Sequence, residues 1–269
     1  MEPGLARDAL TLLLGFTTGV LSALFGIGGA IVSNPGLRAL GAAPLVAVGT
    51  TLPSILPGAI SGTLRYRREG LIDWQLIIPA AASGLLAVVA GSLLSHAVPG
   101  GGHLLLLLIA VLLAFTAWRT AVAPPATPAP EAPAEDVAAA TPDRRTRWLA
   151  AGIGVVAGLL SGLLGIGGGV IMVPAFTELL GMSLKSAIAT SLVCVGIFGV
   201  PATITHAFLG DIDWRLAVLL TIGVIPGARI GASLTIRTAE RRLRLAVGIF
   251  LALVALVYFV TETRALLAL

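Results

Sequence analysis

Residues 164–169 read Leu164-Gly165-Ile166-Gly167-Gly168-Gly169, and residues 25–30 read Phe25-Gly26-Ile27-Gly28-Gly29-Ala30. Both runs lie inside long apolar stretches. Clustered glycine weakens a helix, so each run predicts a break inside a hydrophobic segment. A break leaves backbone N–H groups at the start of the following half-helix, which suits a small anion facing a cavity. The competing reading is close helix packing, because small residues let backbones approach in a bilayer.

Working outward, the two runs anchor an internal duplication. Gly15, Gly19, Ser22, Gly26, Gly28, Gly29 and Pro35 match Gly154, Gly158, Ser161, Gly165, Gly167, Gly168 and Pro174 at an offset of 139. One further residue shifts the offset to 140. Ala47, Thr50, Leu52, Asp73, Trp74 and Gly91 then match Ala187, Thr190, Leu192, Asp213, Trp214 and Gly231. Each half carries four hydrophobic elements, at 9–41, 44–65, 74–98 and 103–120, then at 148–181, 183–208, 214–236 and 243–261. The chain therefore divides into a first membrane repeat (9–120), a Pro/Ala-rich linker with a basic end (121–147) and a second membrane repeat (148–261).

Composition sets the class. The chain has 269 residues, 57% of them hydrophobic and 11% charged, with mean hydropathy +1.01. Ordinary soluble domains carry roughly 25% charge. Apolar runs near 20 residues are long enough to cross a bilayer. Because they are continuously apolar rather than alternating, helices are expected and a barrel is not. The expectation is an all-α, multi-pass protein of the plasma (inner) membrane, with no cleavable signal evident at its start.

The basic balance, 17 Lys+Arg against 13 Asp+Glu, fits positively charged cytoplasmic loops better than nucleic-acid binding. If all eight elements cross, Lys and Arg divide ten against six, with Arg229 set aside as intramembrane. If the first element of each half dips in at its glycines and returns, the halves are inverted. Arg65, Arg67, Arg68, Arg119, Arg144, Arg145, Arg147, Lys185, Arg237, Arg241, Arg242 and Arg244 then share one side. Only Arg7, Arg38, Arg215 and Arg264 lie on the other, a division of twelve against four. The positive-inside rule favours this inverted, re-entrant arrangement.

Several side chains join the glycines as candidates. Thr50-Thr51 and Thr190-Ser191 recur at matched places, either as hydroxyl donors lining an anion site or bonded back to the preceding turn. Asn34 precedes Pro35 where the second half has Val173, so any site is expected to be asymmetric. Arg229 sits within an apolar run, and its counterpart is Val89. It either pairs an anion from the bundle interior or snorkels to the interface. His206 is a candidate for proton coupling or a satisfied helix-end residue, with no acidic partner assignable. Asp73-Trp74 and Asp213-Trp214 read as helix caps with interfacial anchors. Cys194 is the single cysteine and reads as buried.

Catalysis finds little support. No metal-ligand spacing, phosphate-binding loop or serine with an assignable base is present, so no enzyme activity, metal or cofactor is expected.

The run Gly165-Ile166-Gly167-Gly168-Gly169 … Val173-Pro174, followed by Ala187-Ile188-Ala189-Thr190-Ser191, resembles the sulfite exporter TauE/SafE family. A weaker copy is Gly26-Ile27-Gly28-Gly29 … Pro35 with Ala47-Val48-Gly49-Thr50-Thr51. The resemblance implies plasma-membrane transport of sulfite, sulfonates or related organic anions, without fixing which. Ala30 and Thr51 stand where the second copy has Gly169 and Ser191, so equal roles are not implied. The expected function is a secondary carrier working by alternating access, with lipid and a small anion as its partners. An anion-selective channel and a non-transporting membrane scaffold are the alternatives.

Overall fold

The computed structural model describes residues 4–95, 103–122 and 143–267. Residues 123–142 of the Pro/Ala-rich tether lie outside the described residues. Among those described there are ten helices and no strands. They are α1 (Leu5–Phe25), α2 (Ala30–Ala39), α3 (Pro44–Arg67), α4 (Trp74–Ser95) and α5 (His103–Val122). After the tether come α6 (Arg144–Leu164), α7 (Gly169–Leu179), α8 (Leu184–Leu209), α9 (Trp214–Arg237) and α10 (Glu240–Leu267). Seven are long and apolar enough to cross a bilayer: α1, α3, α4, α6, α8, α9 and α10.

The first element of each half is interrupted. The segment 9–41 separates at Gly26–Gly29 into α1 and α2, and 148–181 separates at Gly165–Gly168 into α6 and α7. Arg144, Arg145 and Arg147 fall in the first turn of α6 rather than in an extended tether.

Helix starts follow local chemistry. Asp143, Ser183 and Asp213 accept from the N–H groups of Thr146, Ser186 and Leu216, and Asp73 does the same for Gln75 and Leu76. These are side-chain N-caps, which satisfy donors that no intrahelical carbonyl can reach. Pro44 opens α3, where its missing N–H costs nothing.

Small residues then set helix pairing. Leu12, Phe16 and Val20 of α1 press their backbones against Gly223, Gly227 and Gly231 of α9, in that order. The two helices therefore run side by side in one direction. Ala80, Gly84 and Val88 of α4 meet Gly154, Gly158 and Gly162 of α6 in the same way. Packing through backbone contact is how apolar helices associate where burial in lipid gives no hydrophobic gain.

Other contacts fix the remaining directions. Along α3, Thr50, Ser61 and Arg65 bond in turn to Asp213, Ile225 and Ser233, so α3 follows α9. Helix α8 opposes α3, with Leu192, Gly196 and Gly199 against Gly62, Ala59 and Ile55. The Tyr66 hydroxyl donates to the Ala23 carbonyl at 2.5 Å, which levels the end of α3 with the end of α1. Since α1 and α3 point the same way, α2 between them runs back. The outer faces carry Leu64, Ile78, Leu86, Phe208 and Leu253, all exposed, as a bilayer-facing surface requires.

Candidate functional site

The two glycine breaks meet. A Cβ built on Gly28 would stand 3.3 Å from the Gly167 Cα, and one on Gly167 would stand 3.4 Å from the Gly28 Cα. Both residues have left-handed backbones, with φ of 82° and 84°, a region where glycine carries no steric penalty. The preceding pair matches too: Gly26 and Gly165 end α1 and α6 in the left-handed conformation.

The copies diverge one residue later. Gly29 enters α2 in right-handed helical geometry, φ −71°, whereas Gly168 enters α7 at φ 73°. A Cβ on Gly169 would lie 2.2 Å from the Gly26 carbonyl oxygen and 2.8 Å from the Ile27 Cα. Ala30 occupies the matched place and is buried, 1% exposed. Glycine at 169 thus has a steric cause, since a side chain there would meet the backbone of the other break.

Hydroxyls surround the crossing. Ser191 donates to the Gly26 carbonyl at 2.9 Å and also reaches Ile188 O. Thr51 reaches Asn34 Oδ1 at 3.2 Å and Val48 O at 2.8 Å. The back-bonding seen for Thr51 and Ser191 is the ordinary habit of helix hydroxyls, but each also ties its helix to a break or half-helix. Asn34 is fully buried, and its Nδ2 has no hydrogen bond of normal geometry. Thr18 Oγ1 and Ser161 Oγ are likewise buried without partners. Thr18 packs directly over Gly29, its Cγ2 2.5 Å from where a Cβ would stand. Sequence reading passed over Thr18; its distinguishing feature is the contact with Gly29, which sequence does not display.

Thr50 and Thr190 have a different task. Thr50 Oγ1 accepts the N–H of Asp213 at 2.9 Å, and Thr190 Oγ1 accepts the N–H of Asp73 at 3.0 Å. Each hydroxyl pins the cap residue just before the third crossing helix of the other half. Both threonines are fully buried.

The remaining candidates separate from this cluster. Arg229 lies on the exposed face of α9, opposite the glycines that pack on α1, and joins none of the contacts around the crossing. His206 is fully buried near the end of α8 and does have an acidic partner: its Nδ1 lies 2.8 Å from Asp211 Oδ2. Asp211 is brought back by the left-handed Gly210 cap, a turn that sequence reading did not exploit. Cys194 is buried. Asp73 and Asp213 are the caps the sequence predicts, and Trp74 and Trp214 beside them are half-exposed.

A separate groove of about 820 Å³ runs between α5 and α10, lined by Ala110, Ala114, Trp118, Gly248 and Phe259 among others. It contains none of the residues nominated from sequence. Among the described residues there is no cluster of three or more His, Cys, Asp or Glu able to hold a metal.

Comparison with known proteins agrees with this architecture. The family model for "Sulfite exporter TauE/SafE" matches residues 11–258. A "Probable membrane transporter protein" of Xylella fastidiosa (strain 9a5c) is 30% identical over 227 residues, 84% of this chain and 82% of the relative. The "Probable membrane transporter protein YunE" of Bacillus subtilis (strain 168) is 27% identical over 264 residues, 91% of this chain and 94% of the relative. No solved structure gives a significant match. With seven candidate spans and a family match over nearly its whole length, the chain is a multi-pass membrane protein of the sulfite exporter TauE/SafE transporter family.

Proposed function

We propose that the chain is a secondary carrier for a small anion, of the sulfite, sulfonate or related organosulfur class, held where the two glycine breaks cross. The observation that carries this reading is the backbone contact between Gly28 and Gly167. It sets the starts of α2 and α7 on either side of one point. Each start presents leading N–H groups ahead of any intrahelical acceptor and about half a positive charge. Two such ends facing one locus suit an anion better than a cation or a neutral solute.

In this reading Gly26, Gly28, Gly29, Gly165, Gly167, Gly168 and Gly169 supply backbone donors and the room to use them. Thr51, Ser191 and Asn34 supply polar side chains. Thr18 Oγ1 and Ser161 Oγ, buried without partners, are groups whose burial calls for a further partner, and the buried Asn34 side chain interacts with Tyr258. Thr50 and Thr190 act one step removed, holding α9 and α4 in place. Arg229 stays outside the site.

The halves, 9–120 and 148–261 with the linker 121–147 between them, act as inverted repeats whose first elements re-enter. Two observations support this. Helices α1, α3 and α9 run one way while α4, α6 and α8 run the other. The ends of α3 and α9 and the starts of α6, α8 and α10 gather eleven of the twelve basic residues that the inverted count puts together. Arg119, the twelfth, joins them through its ion pair with Glu178 at the end of α7. The positive-inside rule places that end in the cytoplasm. Rocking of one half against the other would then expose the crossing alternately, the recurring design of repeat-built carriers.

Counterflow tests the reading. Proteoliposomes loaded with unlabelled sulfite, thiosulfate, sulfoacetate, taurine or a simple carboxylate are diluted into the labelled anion. Transient accumulation of at least one sulfur oxyanion or sulfonate above empty liposomes is expected. Large single-channel currents without counterflow would make the protein a channel. No response to any anion would remove the substrate class.

A further inference from the structure

We propose that the groove between α5 and α10 is a binding site for an anionic phospholipid of the cytoplasmic leaflet, which takes its orientation from the arrangement proposed above. The groove holds about 820 Å³, and its walls include Ala110, Ala114 and Trp118 of α5 with Gly248, Ala252 and Phe259 of α10. Among the described residues that line it, Arg244 alone is charged, near the start of α10. Gly248, Ala252 and Ala255 recur three or four apart, so small side chains leave a channel along one face of that helix. Phe259 stands fifteen residues beyond Arg244, about 22 Å along the helix, more than half of the roughly 30 Å hydrocarbon layer. An acyl chain entering beside Arg244 can lie in the groove for the full depth of its own leaflet.

Charge at that end selects the headgroup. Arg241 precedes Arg244 by three residues and Gly248 by seven, so it extends the groove stripe by one turn, and it is exposed. Helical side chains lean toward the N-terminus, which carries both guanidiniums toward the headgroup layer. Arg119, Arg241, Arg242 and Arg244 gather there against two carboxylates. Glu178 pairs with Arg119, while Glu240 lies 3.8 Å from Arg244 and also accepts the Leu184 N–H. Lys185, bonded to the Ile236 carbonyl, adds positive charge nearby. Each guanidinium has five N–H donors, enough to hold a carboxylate and a phosphate together. Basic pockets between helices on the cytoplasmic side suit anionic headgroups. Trp118, an exposed wall residue one position before Arg119, marks the interfacial depth.

A second copy of the chain is the competing occupant. Copies in one membrane share an orientation, and a closed pair turns about an axis along the membrane normal. The arginine end of one groove would then meet the same end of the other, like charge against like charge. A phosphodiester headgroup brings the opposite charge to that end, and its acyl chain covers the apolar wall. The lipid lies on the seam of the repeats, because α5 closes the first half and α10 the second. Helix α10 also reaches the first glycine break. The Phe250 ring stacks on Phe25 with centroids 4.9 Å apart, and the Tyr258 hydroxyl donates to the Ile31 carbonyl at 3.3 Å. A lipid held against α5 and α10 therefore steadies the helix that braces that break.

The test is native mass spectrometry of the whole chain in detergent, with phosphatidylglycerol and phosphatidylcholine of identical acyl chains. One phosphatidylglycerol per chain is expected to stay bound, at least tenfold more tightly than phosphatidylcholine, and to raise Tm. Arg241→Gln with Arg244→Gln is expected to lower that preference more than tenfold, at about fivefold per arginine. Gly248→Leu with Ala252→Leu, which fill the groove, are expected to abolish the adduct with either headgroup. Arg67→Gln with Arg68→Gln removes equal charge from the exposed end of α3 and is expected to keep the preference. Equal retention of the two lipids by wild type, or a preference surviving both groove variants, would overturn the site. Dimers that hold no lipid and come apart on filling the groove would give it to a second copy and overturn the lipid reading. A milder variant guards against misfolding. Trace phosphatidylglycerol with brominated acyl chains is expected to quench wild-type tryptophan fluorescence strongly and Trp118→Phe little, and equal quenching would overturn the site. None of these readouts involves transport, so absence of counterflow would contradict the carrier and not this site.

Discussion

The backbones of Gly28 and Gly167, from opposite halves of the chain, touch at the point where two helices break. A Cβ on the first would stand 3.3 Å from the Cα of the second, with both residues in the left-handed region. Everything proposed for this protein depends on how tightly that junction is built and on what surrounds it.

Gly169→Ala is the most severe substitution expected near the junction. Its methyl would fall 2.2 Å from the Gly26 carbonyl oxygen, a backbone atom that cannot swing aside. Overpacking of this kind costs about 1–3 kcal/mol or more. Thermal unfolding in detergent should show a clear loss of Tm. Gly152→Ala, on the exposed face of α6 with nothing near its added carbon, should leave Tm unchanged or raised.

Thr50→Val and Thr190→Val each remove the acceptor for one cap residue's N–H. An amide left unpaired in a part-buried place costs about 1–3 kcal/mol. Both variants should lose stability by similar amounts, because the two contacts are counterparts. The double variant should lose about the sum, since the sites share no partner. Serine at either position should restore most of the loss.

How much of this was legible in the sequence differs by feature. The duplication could be read directly from the matched residues, whereas the break at each glycine run was one of two readings, since glycine in apolar segments also serves close helix packing. The caps at Asp73 and Asp213 were legible for the same local reason. The partners of Thr50 and Thr190 were not, since each bonds across the halves to a residue more than a hundred positions away. The facing of Arg229 was not legible because hydropathy reports depth and not facing: its run is apolar, yet its side of α9 is exposed. Asp211 was overlooked beside His206 because only the left-handed turn at Gly210 carries the carboxylate back.

Arg229→Ala should accordingly leave anion binding within about twofold of wild type, judged by thermal stabilisation with sulfite or thiosulfate. A loss of tenfold or more would mean that its guanidinium turns inward during transport.

The Asp143 cap gives a pH-dependent signal at the start of α6. The hydrogen bonds from Thr146, with Arg145 and Arg147 nearby, hold its carboxyl below the usual carboxylate range. A depressed folded value means that the cap's contribution is complete above the ordinary carboxylate range and is lost as pH falls through the folded value. The protection of the Thr146 amide, its exchange rate compared with an unfolded amide at the same pH, should therefore fall in acid, and Asp143→Asn should flatten that dependence.

The central claim is that the anion sits at the glycine crossing, and binding to matched variants tests it most directly. Isothermal titration of sulfite and thiosulfate would compare wild type, Gly152→Ala, Asn34→Leu and Ser191→Ala, each checked for folding by its Tm. Wild type and Gly152→Ala are expected to bind alike, while Asn34→Leu and Ser191→Ala are expected to bind at least tenfold more weakly. Equal affinity in all four folded proteins would contradict the site.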